Sequence, residues 1–492
     1  MILLILLGVS AQSRAQTPEI IAKSDRAKAA MSAGRFEEAA ALYRELMRAL
    51  PQNPGLRMNL GLALHSGGQY RAALEQFRVV VGQQPKNSAA WLLMGLGHLK
   101  LGEPALAVAP LRRALALDPR NHKARLELAD AYLSSGQPHQ AALQFKTLTE
   151  ADPKDPKAWQ GLGLSYVAVS RGAFEELEKS APESAYARVL VARSFVSRKQ
   201  YHAAFFQYRQ ALSAGPRMKG IHAGLAEVYR TTGHVEWAAI EDARERELGS
   251  PNCRAETLEC DFGSERYARI LEISKNGSTP VILFWRSRAA SELALQAFDR
   301  LSQLPPSPAI HELMAEAESI QGRPELAVQE WNEALKLAPD DRRLKKGLAR
   351  ALRLNKEYEQ ARLLLQELVR TEPGSLDLQY ELGEALLGTG QPEESLPYLE
   401  RVVKSEPRNL SARAALGLAY LRAGRPQESI PHLKAASEIE NDGSLYYQLA
   451  QAYQRSGQAA LARETMQRFE EISGTARARR QKLPEEFEIT PP

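Results

Sequence analysis

Cysteine is nearly absent from this chain: 492 residues hold two, Cys253 and Cys260. Two sulfurs with no nearby histidine do not make a zinc site, which needs four ligands at short spacing. The nine histidines are scattered (His65, His98, His122, His139, His202, His222, His234, His311 and His432), and none forms an H-x-x-x-H pair. His311-Glu312 is followed by Ala315, so the H-E-x-x-H arrangement is missing. Phosphate-loop and G-x-S-x-G sequences are missing as well. Gly95-x-Gly97 and Gly161-x-Gly163 fall inside predicted helices and not after a strand, which excludes a dinucleotide loop there. No catalysis, cofactor or metal is expected.

Other absences narrow the class further. The only strand-like run, Pro280–Trp285, is short and isolated, so the chain reads as all-α. Charge of one sign does not dominate: 64 basic residues face 59 acidic ones, for a net charge of +5. That balance gives no case for nucleic acid, which calls for a concentrated basic stripe with aromatic stacking residues. No run approaches the roughly 20 apolar residues of a membrane span. The single apolar run, Met1–Val9, is too short to cross a membrane and resembles the core of a secretory signal, with Val9-Ser10-Ala11 as its cleavage site. It lacks the usual basic start; the competing reading is a buried first helix. With the signal removed, no integral membrane segment is expected, and the mature chain is expected in the periplasm or envelope. If the segment is retained, the chain is expected in the cytoplasm. The absence of cysteine before Cys253 excludes lipid attachment at a processed N-terminal cysteine.

What is present is a period. Gly34-Arg35-Phe36, Ala39, Tyr43 and Pro51 recur 34 residues later as Gly68-Gln69-Tyr70, Ala73, Phe77 and Pro85. Gly102, Pro104, Ala107, Leu111 and Pro119 follow, then Gly136, Pro138, Ala141, Phe145 and Pro153. A fixed period of this length marks a solenoid whose units bury their apolar faces only by stacking. Each unit reads as a first helix, a glycine turn, a second helix and a closing proline. Gly61, Gly95 and Ala129 let the first helix approach the second, and Tyr70, Phe77 and Phe145 fill the space between.

Trp91-x-x-Met94-Gly95-x-x-His98 with Gly102, Ala107, Leu111, Ala114 and Pro119 resembles the tetratricopeptide repeat. So do Trp159-x-x-Leu162-Gly163-x-x-Tyr166, and Leu416-Gly417-x-x-Tyr420 with Gly424 and Ser429. The resemblance implies a right-handed superhelical solenoid of antiparallel helix pairs, with twelve recognisable repeats and two degenerate units. The expected layout is a signal and short lead over 1–16, and seven repeats over 17–251. The fifth of these is short, with a turn at Ser170-Arg171-Gly172. A degenerate junction over 252–307 leads to five repeats over 308–474 and a charged, disordered tail over 475–492.

First helices of such repeats line the ligand groove, which makes their exposed positions the candidate site. In units two to five these are Met58, Leu62, Leu92, Leu96, Leu99, Leu126 and Leu164, an apolar channel for an extended or helical segment. Alternatively, some only complete packing. In the C-terminal block, Arg343, Lys346, Arg350 and Arg353 share one helical face. They read as a basic cradle for an acidic segment, or as one side of an inter-repeat ladder with Glu312 and Glu316 before and Asp377 and Glu384 after. Cys253 and Cys260 read either as a disulfide closing a small loop or as two thiols on one helix, too far apart to bond.

The function implied is that of a scaffold or assembly adaptor for protein or peptide ligands. The alternatives are a cytoplasmic regulatory adaptor and the recognition subunit of an enzyme whose catalysis lies on another chain.

Overall fold

The computed structural model describes residues 18–437, 443–480 and 489–492. The apolar segment Met1–Val9, read above as an export signal, lies outside them. Among the described residues every regular element is a helix. The chain divides into two compact units, 1–168 and 169–492.

The first unit is a stack of helical hairpins: α1 (Pro18–Ser32) with α2 (Phe36–Ala49), α3 (Pro54–Ser66) with α4 (Tyr70–Gln83), α5 (Ser88–Lys100) with α6 (Pro104–Leu117), and α7 (His122–Ser134) with α8 (Pro138–Ala151). Their boundaries follow from residue chemistry. Asn53, Asn87 and Asn121 each accept a hydrogen bond from the backbone N–H three residues on, and Asp155 does the same for Ala158. Each cap is worth about 1 kcal/mol. The turn between paired helices needs a left-handed residue, and Gly34, Gly68, Gly102 and Gly136 supply it at φ of 72–76°. Each first helix is also tied to the preceding turn. Arg57, Trp91, Arg125 and Trp159 donate to the carbonyls of Pro51, Pro85, Pro119 and Pro153 at 2.9–3.3 Å. The tryptophans of the motif are therefore donors as well as bulk, which is why arginine can replace them.

Packing within and between hairpins depends on absent side chains. A Cβ at Gly95 would stand 2.4 Å from Leu111, and one at Gly161 would stand 2.1 Å from the Phe145 ring. First helices of successive hairpins also touch, α3 on α5 and α5 on α7, so they form a continuous wall.

α9 (Pro156–Ser180) is one uninterrupted helix of 25 residues. The turn expected at Ser170-Arg171-Gly172 is absent. No proline interrupts the run, and one glycine in a helix costs only about 1 kcal/mol.

The second unit continues with α10 (Ala185–Ser197) on α11 (Tyr201–Ala214) and α12 (Ile221–Thr231) on α13 (Val235–Glu247). The register then breaks. α14 (Thr257–Gly263) and α15 (Tyr267–Ser274) form one short hairpin, and α16 (Pro280–Ser302) is a single helix of 23 residues. The strand-like run Pro280–Trp285 is the start of α16, and a single helix stands where a second degenerate hairpin was expected. α16 packs on α10, with Phe284 against Tyr186 at 5.3 Å between ring centroids. The Ser170 hydroxyl lies within 3.0 Å of those of Ser287 and Ser291.

Regular stacking resumes with α17 (Pro308–Ile320) and α18 (Pro324–Leu337), α19 (Arg342–Leu354) and α20 (Tyr358–Thr371), and α21 (Leu376–Gly388) and α22 (Pro392–Ser405). α23 (Leu410–Arg422) with α24 (Pro426–Ala436), and α25 (Ser444–Arg455) with α26 (Ala459–Arg480), complete the series. Ser307, Asp341, Ser375 and Asn409 cap the first helices as the asparagines do in the first unit.

The tail differs from the disordered reading. α26 reaches Arg480, and Ile489 is buried in the core cluster that contains α12. Residues 481–488 lie outside the described residues. No described helix is long and apolar enough to cross a membrane.

Candidate functional site

The wall of first helices in the first unit carries the apolar row. Leu62 is 37% exposed, and Met58, Leu92, Leu96, Leu99, Leu126 and Leu164 are half-buried. Met58 packs against the core formed with α1–α5, so it serves packing at least in part. Leu62, Leu96 and Leu164 occupy equivalent places one or more 34-residue periods apart. The place between Leu96 and Leu164 belongs to Asp130, which the sequence reading passed over.

Asp130 is open to solvent by area, yet the surrounding wall desolvates its carboxyl and pushes its pKa up to about 6. Burial is the largest cause; Glu127 adds to the rise and Lys157 opposes it. The folded chain therefore holds this proton more tightly than the unfolded chain, whose carboxyl titrates near 3.8. Ionisation of Asp130 thus lowers stability as pH rises from about 4 through about 6. Replacing Asp130 with asparagine is expected to leave the melting temperature nearly unchanged at pH 4 and to raise it relative to the parent at pH 7. Thermal melts across that range check the sign.

Two of the histidines in this unit have acidic partners. His98 Nδ1 lies 2.8 Å from Glu103, and His122 Nε2 lies 3.0 Å from Asp155. His65 meets the Tyr70 ring edge-on at 5.2 Å between centroids.

In the second unit, α19 presents the basic face, and each of its four cations has an acidic partner. Arg343 pairs with Glu312, Lys346 with Glu372 at 2.7 Å, Arg350 with Glu381 at 2.8 Å, and Arg353 with Glu384 at 2.9 Å. This is the ladder arrangement, and the open basic cradle is not formed. Arg343, Glu381 and Glu384 lie 31 residues beyond Glu312, Arg350 and Arg353. The partner on the following first helix thus sits one helical turn back from the equivalent position. That offset explains why Glu381, and not Glu384, meets Arg350.

Most of these pairs are exposed and contribute about 0–1 kcal/mol each. The Glu381 side chain, at 7% exposure, is different, because removing its partner strands a buried charge. Arg350→Ala is therefore expected to cost about 1–2 kcal/mol, discounted for the exposure of the arginine itself, and Arg343→Ala less than about 0.5 kcal/mol. Urea titrations of the two variants check the order.

Arg353 and Glu384 also border a cleft of about 500 Å³ with Tyr380, Leu387, Leu418 and Arg422. The Tyr380 hydroxyl is held protonated well above the usual phenol range by burial and then by Glu384. This part of the second unit mixes apolar residues with internally paired charges, unlike the apolar row of the first.

Cys253 and Cys260 are joined in a disulfide. Cys253 precedes the helix that begins at Thr257, so the two do not share one helix as the alternative required. Among the described residues, no group of three or more His, Cys, Asp or Glu is placed to hold a metal ion.

Hairpins of this length, turn chemistry and proline closure define a helical-repeat protein. Tetratricopeptide-repeat profiles match residues 30–96, 98–163, 312–375, 380–443 and 443–475, which together exceed half the sequence. The chain belongs to the tetratricopeptide-repeat family, whose members act in protein interaction.

Solved structures similar to it include MamA from Desulfovibrio magneticus RS-1, at 21% identity and a TM-score of 0.31, covering 34% of this chain and 96% of that one. YrrB, described as a TPR protein with an unusual peptide-binding site, is 22% identical with a TM-score of 0.29, over 35% of this chain and 91% of its own. A tetratricopeptide repeat protein from Parabacteroides merdae is 15% identical with a TM-score of 0.30, over 68% of this chain and 98% of its own. No curated protein matches the chain.

Proposed function

We propose that the chain is a non-catalytic scaffold that binds protein or peptide segments along the first-helix wall of its N-terminal unit. The observation that carries this is the solvent-facing apolar row Leu62, Leu96 and Leu164, flanked by Leu92 and Leu126. These leucines leave apolar surface in water, and a bound segment would complete their burial. The charge-paired first helices of the second unit would then not serve as a second open groove. Selection from a random-peptide library on the full chain tests the reading. Apolar, amphipathic sequences are expected to be enriched, and enrichment of acidic sequences directed at α19 overturns it.

We place this scaffold in the cell envelope. The apolar start with its Val9-Ser10-Ala11 site supports export. So does the Cys253–Cys260 bond, because disulfides persist in oxidising compartments. N-terminal sequencing of the native protein is expected to begin after Ala11. Retention of Met1 would move the protein to the cytoplasm and favour a regulatory adaptor.

A further inference from the structure

The α12–α13 hairpin ends a stack. In the regular arrays each second helix is covered by the next first helix, whereas among the described residues the helix that α13 packs on extensively is α12. Val235 and Ile240 remain exposed on it. Around its junction with α12 lies an aromatic group: Tyr229 stands 5.7 Å from Phe205 and 5.6 Å from Trp237, and His234 stacks on Trp237 at 4.2 Å.

Beside this group, Tyr229 is met by a segment from 261 residues away. Ile489 is 8% exposed and belongs to the same apolar cluster as Ile221, Leu225 and Tyr229. The Tyr229 hydroxyl donates to the carbonyl oxygen of Thr490 at 2.7 Å, and Pro492 is half-buried. The chemistry suits a ligand. Two consecutive prolines fix an extended backbone and bias Thr490 toward it, so little conformational freedom is lost on docking. A short extended segment that places one β-branched side chain in an apolar site and one carbonyl on a buried hydroxyl is a peptide-recognition mode.

We propose that the Tyr229 surface is a peptide-binding site for an extended apolar–Thr–Pro–Pro segment, and that the chain's own Ile489–Pro492 is its resident ligand in cis. The tether gives the segment an effective concentration in the millimolar range, so even a weak contact stays closed until an outside segment competes. The role of that outside segment rests on the scaffold reading above; the contact itself does not.

The test uses a fluorescein-labelled peptide of residues 484–492, titrated into the full chain, the chain ending at Glu488, and full-length Ile489→Asp. The shortened chain and Ile489→Asp are expected to bind the probe at least about ten-fold more tightly than the full chain, because their site is vacant. Tyr229→Phe in the shortened chain is expected to weaken the probe by about five-fold through the lost hydrogen bond. Hydrogen exchange in 221–247 is expected to quicken in both tail variants. A shortened chain with native helicity that binds the probe no better than the full chain overturns the proposal. So does a dimer of the full chain that Ile489→Asp dissociates, since the contact would then join two copies. Leu62→Asp with Leu96→Asp in the shortened chain is expected to leave probe affinity unchanged. Its loss there would overturn the site at Tyr229 while leaving the N-terminal groove reading standing.

Discussion

Phe145→Ala is expected to remove about 3–5 kcal/mol of stability from the first unit, the cost of emptying a large aromatic site in a packed core. Phe145 is 1% exposed, and its ring fills the space that Gly161 leaves open. The hollow cannot close easily, because the helices on either side are fixed by the Asn121 and Asp155 caps and by the Trp159–Pro153 bond. In a solenoid stability is nearly a sum of unit and nearest-neighbour terms, so the loss is local. Hydrogen exchange is expected to show α7–α9 opening while α1–α4 keeps its protection. Uniform loss across the first unit would show that it unfolds as one block.

Leu62→Asp combined with Leu96→Asp is expected to weaken apolar peptide ligands by at least about 100-fold. Full burial of a leucine is worth about 1.5–3 kcal/mol, of which a ligand covering the exposed third recovers about 0.5–1 kcal/mol. The two carboxylates left beneath an apolar segment add a desolvation cost of about 1–3 kcal/mol, and 1.4 kcal/mol is a factor of ten. Stability is expected to fall by no more than about 2–3 kcal/mol, since Leu62 is already 37% exposed and Leu96 is half-buried. Titration calorimetry with selected peptides, beside thermal melts, separates the two effects. A large drop in melting temperature with intact affinity would make these leucines packing residues, as Met58 partly is.

The hairpins were legible in the sequence because their signals are local. A cap such as Asn87, a left-handed glycine such as Gly102 and a closing proline such as Pro119 each act within a few residues. The failures arose where the decision is not local. Ser170-Arg171-Gly172 looks like a turn, but it holds no proline, and α9 runs straight through it. The ladder was foreseen in kind and missed in register: equal repeat positions point Arg350 at Glu384, while helix stacking offsets the partner by one turn to Glu381. Asp130 carried no signal of its own, since its raised pKa comes from the wall that surrounds it. Ile489 sits in a stretch whose composition reads as disorder, and only the fold brings it to Tyr229.

The central claim is that ligands lie on the apolar wall of the first unit. Its most direct test is a benzophenone photo-crosslinker placed in turn at Leu96, at Leu106 on the second helix α6, and at Arg350 on α19, with the selected peptide as target. Leu106 is 57% exposed, which makes it a fair control for accessibility. The account predicts strong adducts at Leu96 and background at the other two positions. Adducts at Arg350, or equal adducts at Leu96 and Leu106, would contradict it.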